Sequence, residues 1–368
     1  MIGALNLYIL RRHLAGLIMA LGAALILVLV GDLVELSGER LAVGADPAPI
    51  LTMAMLHAPS ILSETLPFIV LLGSLAAFLR LARSSELVVI RAAGLSVWRI
   101  LRMPVLCAIV LGALTFSVWN PIAATSLARY EVLDSRHFDG RESLLSLSAE
   151  GLWLRQSSPE GQTVINATRA SANGEELIGV SIFEFDVDGV LDRRMSARSA
   201  TLSPGAWQVQ RARIWDIDGE GAFAMVRGRD VDAIEVPTDL TSSRILESFA
   251  DPQALSFWDL SDFIDTLDAS GFSSVRHRLY MQTELARPLM FAAMVLIAAG
   301  FSMRHVRFGS VGVRVLLCVI VGFGIFFLSD FTQALGAAGT IPVFVAAWVP
   351  PVAALLLATS LLLHLEDG

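Results

Sequence analysis

Six runs of about twenty mostly apolar residues, each long enough to cross a hydrocarbon core of roughly 30 Å, punctuate this 368-residue chain. They fall near residues 14–36, 59–79, 103–127, 281–303, 311–335 and 341–363. Roughly 150 polar residues separate the third from the fourth. Lipid must be the solvent for such runs, and the layout predicted is three membrane helices, a soluble insert and three more helices. Composition agrees. The chain is 55% hydrophobic and 17% charged, with a mean hydropathy of +0.64, whereas an ordinary globular domain is about a quarter charged. Glu64 and Pro67 interrupt the second run and Glu284 and Arg287 the fourth, while no charge lies between Met103 and Ala128. The polar start, residues 1–12, leads into an apolar run without a small-residue cleavage site, so a retained first span is expected.

Arginine placement gives an expected orientation. Arg11 and Arg12 precede the first span; Arg80, Arg83, Arg91, Arg99 and Arg102 lie between the second and third; Arg304 and Arg307 lie between the fourth and fifth. The alternate connections hold only Arg40, between the first two spans, and no base between the last two. Both termini are therefore expected in the cytoplasm, with the insert in the periplasm of a bacterial inner membrane. Residues 124–275 hold 13 Arg against 25 Asp and Glu. An acidic soluble part on a weakly basic membrane body excludes nucleic acid as the expected partner.

All 27 basic residues are Arg. Without Lys there is no Walker A loop and no Schiff-base chemistry, so this chain is not expected to hydrolyse nucleotide by P-loop chemistry itself. Cys107 and Cys318 lie in apolar runs and are expected to be small buried hydrophobes. The six His residues are scattered without metal-binding spacing, so neither a metal nor a cofactor is expected. No nucleophile–base motif or defensible pair of catalytic carboxylates emerges. The expectation is a non-catalytic protein.

The insert has short alternating segments. Leu144, Leu147, Leu152 and Leu154 mark one; Ile178, Val180 and Ile182 alternate strictly before a turn signal at Asp188-Gly189; Trp207, Val209 and Ile214 mark another. A sandwich, barrel or jelly roll is predicted. Between residues 251 and 274, Leu255, Leu260, Phe263, Ile264 and Leu267 recur at helical spacing, predicting an amphipathic connector.

Two groups of residues could carry function. The first is the stretch from Ser84 to Gly94. Ser84 or Ser85 can cap a helix start, Glu86 suits its positive end, Gly94 is an expected left-handed stop, and Ser96 can cap the next helix. Two turns of helix are too few to be stable alone, so Leu87, Val88 and Ile90 must be covered by headgroups or by another protein. A surface-lying connector and a coupling helix seated in a cytoplasmic motor both fit. The second group is intramembrane: Asp32, Glu35, Glu64, Glu284 and Asp330 all fall toward the outer half. Glu284 and Arg287, three apart, can pair. A proton relay needs such groups through the whole depth, so an ion-coupled carrier is disfavoured. Contact with an amphiphile's head, or anchoring at the interface, remains. The rival class is a membrane-anchored periplasmic scaffold or sensor that binds a partner through its β domain.

The start Asn6-Leu7-Tyr8-Ile9-Leu10-Arg11-Arg12, the stretch Arg83-Ser84-Ser85-Glu86-Leu87-Val88-Val89-Ile90-Arg91-Ala92-Ala93-Gly94 and the turn Gly339-Thr340-Ile341-Pro342 before the last span resemble the YjgP/YjgQ, or LptF/LptG, permease family of the lipopolysaccharide exporter. The resemblance covers essentially the whole chain, and the final residues look more like LptG than LptF. It implies four regions: residues 1–127 with a coupling helix at about 84–94, a periplasmic β-jellyroll at 128–250, an amphipathic connector at 251–280, and the last three spans at 281–368. It also implies a set of partners: an LptF-like permease, an LptB-like ATPase dimer that binds the ATP, an LptC-like membrane-anchored protein, and an LptA-like periplasmic jellyroll. Lipopolysaccharide is the implied cargo. By position, Glu86 would contact the ATPase, with Leu87, Val88, Ile90, Arg91 and Gly94 shaping that contact. Relatives place bases at the outer end of the first span, where this chain has Asp32 and Glu35 with Arg40 beyond. Substrate contacts are expected among Asp32, Glu35, Arg40, Glu64 and Arg287. Either Arg40 meets the phosphates, or the sister permease does, or the lipid is less phosphorylated, or a divalent cation bridges the acids to phosphate.

Overall fold

The computed structural model describes residues 2–41, 48–84, 86–134, 145–148, 151–158, 161–170, 175–187, 189–218, 225–238, 251–269, 273–303 and 311–366. These form two compact units, one of Met1–Asp134, Pro252–Trp258 and Val275–Gly368, the other of Ser135–Asp251 and Asp259–Ser274.

The first unit is helical. Helices α1 (Ile2–Leu41) and α2 (Ala48–Arg83) lead to the short α3 (Glu86–Ala92). Helix α4 (Val97–Leu114) passes through a π turn (Thr115–Trp119) into α5 (Asn120–Asp134). Beyond the insert and the short helix α6 (Leu260–Ala269) come α7 (Val275–Ser302), α8 (Val311–Ala337) and α9 (Val343–Glu366). Six helical stretches among the described residues are long and apolar enough to cross a membrane, in the three-plus-three arrangement expected. The two spans with the charge-interrupted sequences are the most enclosed: 72% of the apolar window of α7 and 56% of that of α2 is buried, against 11% for α1. A helix surrounded by protein can carry polar groups that lipid would reject. The core is centred on α7, where Phe291, Ala293, Val295, Ile297, Ala298 and Ala299 are at most 1% exposed.

Close backbone approach sets the packing, as is usual where lipid supplies no hydrophobic drive between helices. At the α1–α2 crossing a Cβ on Gly16 would stand 2.4 Å from the Gly73 carbonyl oxygen, and at the α4–α7 crossing one on Gly112 would stand 2.4 Å from Pro288 Cα. Only glycine fits either place. Cys318 is buried and Cys107 half-buried, both as free thiols.

Two helix ends differ from the expected limits. The third span's helix continues through Arg129, Tyr130 and Glu131 to Asp134, past the expected boundary at 128, and the fourth begins at Val275, ahead of 281. Hydropathy marks the membrane crossing, whereas a helix runs on into polar sequence until something breaks it.

The second unit is β. Strands β1 (Leu145–Ser148), β2 (Gly151–Ser158), β3 (Gly161–Ala170), β4 (Glu176–Phe185), β5 (Leu191–Ser203), β6 (Ala206–Asp218) and β7 (Met225–Pro237) form one antiparallel sheet in sequential order. Among the described residues the strands are joined as a meander, without the interleaved crossings of two Greek keys. Of the turn signal at Asp188-Gly189, Gly189 is in a turn and Asp188 lies outside the described residues. Gly189 has φ +81° and donates its N–H to the Asp186 carbonyl at 3.1 Å, while the Asp186 carboxylate accepts from Val190 N–H at 2.9 Å. Strands β3 and β7 were not expected, because Thr163, Asn166 and Thr168 dilute the first and Arg227, Arg229, Asp230 and Asp232 the second. The sheet core contains Leu152, Ile165, Leu177, Ile182, Trp207 and Ile214, each at most 1% exposed. Helix α6 closes onto it through Leu267, with Phe263 alongside, so part of the predicted connector belongs to this core. Where the core face runs out, two residues beyond Ile182, Met195 and Ile214, Arg193 bridges Asp216 at 2.7 Å and Glu184 at 3.1 Å across neighbouring strands.

Candidate functional site

Two polar constellations lie in the helical unit. The first is at α3. Helix α2 is closed off by Ser84, whose hydroxyl donates to the Arg80 carbonyl at 3.0 Å, and α3 starts at Glu86. Helix α3 is followed by Gly94 at φ +78°, the left-handed stop its sequence predicted. Ser96 stands at the N-cap of α4 with extended backbone, but its side chain makes no cap bond; its carbonyl accepts from Arg99 N–H at 3.1 Å instead. Ile90 packs half-buried against the bundle core, while Val89 on α3 is 68% exposed. Leu87, Val88 and Arg91 belong to α3, and their side chains lie outside the described set.

Glu86 has partners on α1. Tyr8 Oη donates to Glu86 Oε2 at 2.8 Å, Arg12 Nε donates to Tyr8 Oη at 3.0 Å, and the Arg12 guanidinium stands 4.0 Å from Glu86 Oε1. The Tyr8 hydrogen bond, helped by Ser84 and by the positive charge of Arg12, holds the Glu86 carboxyl below the usual carboxylate range. Glu86 is thus ionised at neutral pH, with one oxygen engaged within the chain. Tyr8 and Arg12 stand in a sequence stretch singled out above, but nothing in sequence joins it to a carboxylate 78 residues away.

The second constellation is a cavity of about 220 Å³ between α2, α7, α8 and α9. Glu64, Gln253, Arg287, Asp330 and Gln333 give it its polar lining, and Met290 and Phe326 part of its apolar lining. Glu284, fully buried on α7, forms an ion pair with Arg287 one turn along, which realises the pairing expected from their spacing. Gln253 Nε2 donates to Glu64 Oε1 at 2.9 Å, and Gln333 Nε2 to Ser329 Oγ at 3.0 Å. Asn120 ties the wall together: its amide donates to Tyr280 Oη at 2.8 Å and its carbonyl oxygen accepts from Phe257 N–H at 2.7 Å. The π turn contributes as well, with Trp119 Nε1 donating to Ser63 Oγ at 2.9 Å and the Ser117 carbonyl accepting from Trp258 Nε1 at 3.1 Å. Because Arg287 is already neutralised by Glu284, the remaining charge of the lining, from Glu64 and Asp330, is negative.

The structure brings Glu64 and Arg287 into this cavity and leaves the α1 acids out of its lining. Asp32 is buried, and its Oδ1 lies 2.9 Å from His57 Nδ1, with the His57 ring stacked on Tyr130 at 4.6 Å. Glu35 is exposed on α1. Arg40 falls in the last turn of α1, and its side chain lies outside the described set. Asp330, Gln253 and Gln333 were not among the expected contacts; their convergence depends on which faces of α8 and of the turn at Pro252–Ala254 meet α2.

Across residues 7–364 the chain matches the family described as lipopolysaccharide export system permease LptF/LptG. It is similar to the lipopolysaccharide export system permease proteins LptG of Escherichia coli strains K12 and O6:H1. Each is 27% identical over 314 residues, spanning 84% of this chain and 84% of the relative.

Proposed function

We propose, for a chain that belongs to the lipopolysaccharide export system permease LptF/LptG family, the role of an LptG-type subunit. It would turn ATP-driven closure of a separate ATPase dimer into extraction of lipopolysaccharide from the inner membrane. The chain is a multi-pass membrane protein with six crossing helices. The ATP is bound and hydrolysed by the partner, in keeping with a chain that has no Lys.

The observation that carries this reading is α3. It is a helix of 7 residues, tethered at both ends to membrane helices, with an ionised Glu86 in its first turn and an apolar Val89 turned outward. Such a helix does no chemistry, but it can seat in a groove of a moving partner and pass on its displacement. In this reading the α3 end is cytoplasmic and the β unit periplasmic. An LptF-like sister permease completes the cavity, an LptC-like protein joins the complex, and an LptA-like jellyroll receives the lipid. The similarity to the LptG proteins supports the LptG-type reading. Glu64, Asp330, Gln253 and Gln333 suit sugar hydroxyls of the headgroup. With Asp32 committed to His57, contact with headgroup phosphates at that end is assigned to Arg40 and the sister subunit, and Glu35 is the acid left to hold a bridging cation.

The test is Glu86→Ala in the complex reconstituted with the sister permease and the ATPase. The variant should insert normally, lose most of its co-purifying ATPase, and lose lipopolysaccharide-stimulated ATP hydrolysis. Normal co-purification together with normal transport would refute the coupling role. Insensitivity of wild-type transport to ionophores separates this reading from an ion-driven carrier.

A further inference from the structure

Helix α3 is covalently continuous with α2 and α4 only, yet its carboxylate is held by α1. The geometry is directional. Arg12 Nε donates to Tyr8 Oη at 3.0 Å, and Tyr8 Oη donates to Glu86 Oε2 at 2.8 Å. The phenol therefore uses its acceptor on the guanidinium and its donor on the carboxylate, and each bond strengthens the other. Arg12 sits one turn after Tyr8 on α1, with its guanidinium 5.3 Å above the Tyr8 ring, so donor and support share one helix face. Because the aromatic side chain has only two rotatable bonds, little freedom is lost in holding this arrangement.

Two further features give the contact mechanical meaning. Seven residues cannot fix their own direction, and α3 is flanked by a glycine at φ +78° with open space around its Cα. Among the described side chains, the inward packing of Ile90 and the bond from Tyr8, with Arg12 beside it, orient the helix. Helix α1, in turn, is the least enclosed of the spans, exposing Ile18, Ile26, Leu27, Val30 and Val34. Its start is held in the core through Ile9 and Leu17 and lies against Gly73 through Gly16, so a displacement applied there is carried by the helix to the exposed stretch beyond.

We propose that Tyr8, supported by Arg12, is a positioning residue that clamps α3 to α1, so that a displacement imposed on α3 moves the first span as well as α2 and α4. This rests on the coupling role of α3 proposed above and adds the element through which motion reaches the exposed span. The cytoplasmic end of α1 is then an output of the nucleotide cycle.

The experiment uses the reconstituted complex with lipopolysaccharide as cargo, comparing Tyr8→Phe, Arg12→Gln and Glu86→Ala. Tyr8→Phe removes one hydroxyl from a 37% exposed side chain and leaves the fold intact. It should co-purify with the ATPase as wild type does and continue to hydrolyse ATP, while lipid released per ATP hydrolysed falls about fivefold, a typical size for a coupling between sites. Arg12→Gln should shift the same ratio in the same direction. Spin labels at Leu7→Cys and Ala92→Cys, with Cys107 and Cys318 replaced by Ser, should keep a constant separation through the cycle and lose that constancy in Tyr8→Phe. An unchanged transport-to-hydrolysis ratio with an unchanged label distance overturns the clamp. Loss of ATPase binding by Tyr8→Phe also overturns it, by making Tyr8 part of the docking surface. Full ATPase retention with normal transport by Glu86→Ala overturns the coupling reading itself, whatever Tyr8→Phe does.

Discussion

Removing Glu284 alone should harm this protein far more than removing Glu284 and Arg287 together. The Glu284 side chain is fully buried and that of Arg287 is 12% exposed, and the two form an ion pair within one turn of α7. Helix α7 is the most enclosed span, so neither charge can be rehydrated by a small shift. Deleting one member of a buried pair costs about 3–5 kcal/mol, because the other charge is left without its counter-ion, whereas replacing both by apolar groups of similar size is often neutral or stabilising. The cavity gives Arg287 some access to polar partners, which places Glu284→Leu at the lower end, about 3 kcal/mol. For a helical unit of this size that corresponds to a fall in Tm of roughly 6 °C. Glu284→Leu/Arg287→Met should recover most of it. Thermal unfolding of the detergent-solubilised chain, followed by the loss of the monodisperse peak, measures both. If the single and double variants melt together, the pair does not stabilise through mutual neutralisation. The double variant also serves the functional reading: stable protein with lost lipopolysaccharide-stimulated hydrolysis would place the pair in headgroup contact, whereas intact stimulation would make it architectural.

Two more outcomes are expected from the same structure. Gly112→Ala would put a methyl group 2.4 Å from Pro288 Cα; since backbone cannot give way as a side chain does, α4 and α7 must separate, at about 1–3 kcal/mol, checked by the same melting assay. The other concerns pH. The Tyr8 hydrogen bond lowers the Glu86 pKa from its ordinary 4.5, so the ionised group's contribution is fully present above that value and is lost only as pH falls through the lowered folded value. Spin-label distances between α1 and α3 should therefore hold to more acidic pH in wild type than in Tyr8→Phe, and identical acid transitions would refute the assignment.

How far the sequence could be read depended on the range of the interactions involved. The six spans were legible because apolar length is a local property and the bilayer sets a fixed demand on it. The turn at Gly189 and the stop at Gly94 were legible for the same reason, since a positive φ is a single-residue requirement. The spacing of Glu284 and Arg287 fixed their pairing within one helix. Strands β3 and β7 escaped because polar residues, mostly uncharged in β3 and charged in β7, dilute their alternation. Ser96 shows the limit of capping rules: the residue is at the right position, yet its side chain makes no cap bond.

Sequence alone thus determined the membrane layout, the all-β character of the insert, the short helix carrying Glu86, and the lack of any Lys for a Walker A loop. Tertiary structure decided the partners of the charges. It gave Glu86 to Tyr8 and Arg12, Asp32 to His57, and Glu64 to a cavity shared with Arg287 and Asp330. The physical reason is distance along the chain. A helix presents a face every few residues by its own geometry, but which face meets which neighbour is settled by packing at places such as Gly16 against Gly73 and Gly112 against Pro288, and no periodicity encodes that choice.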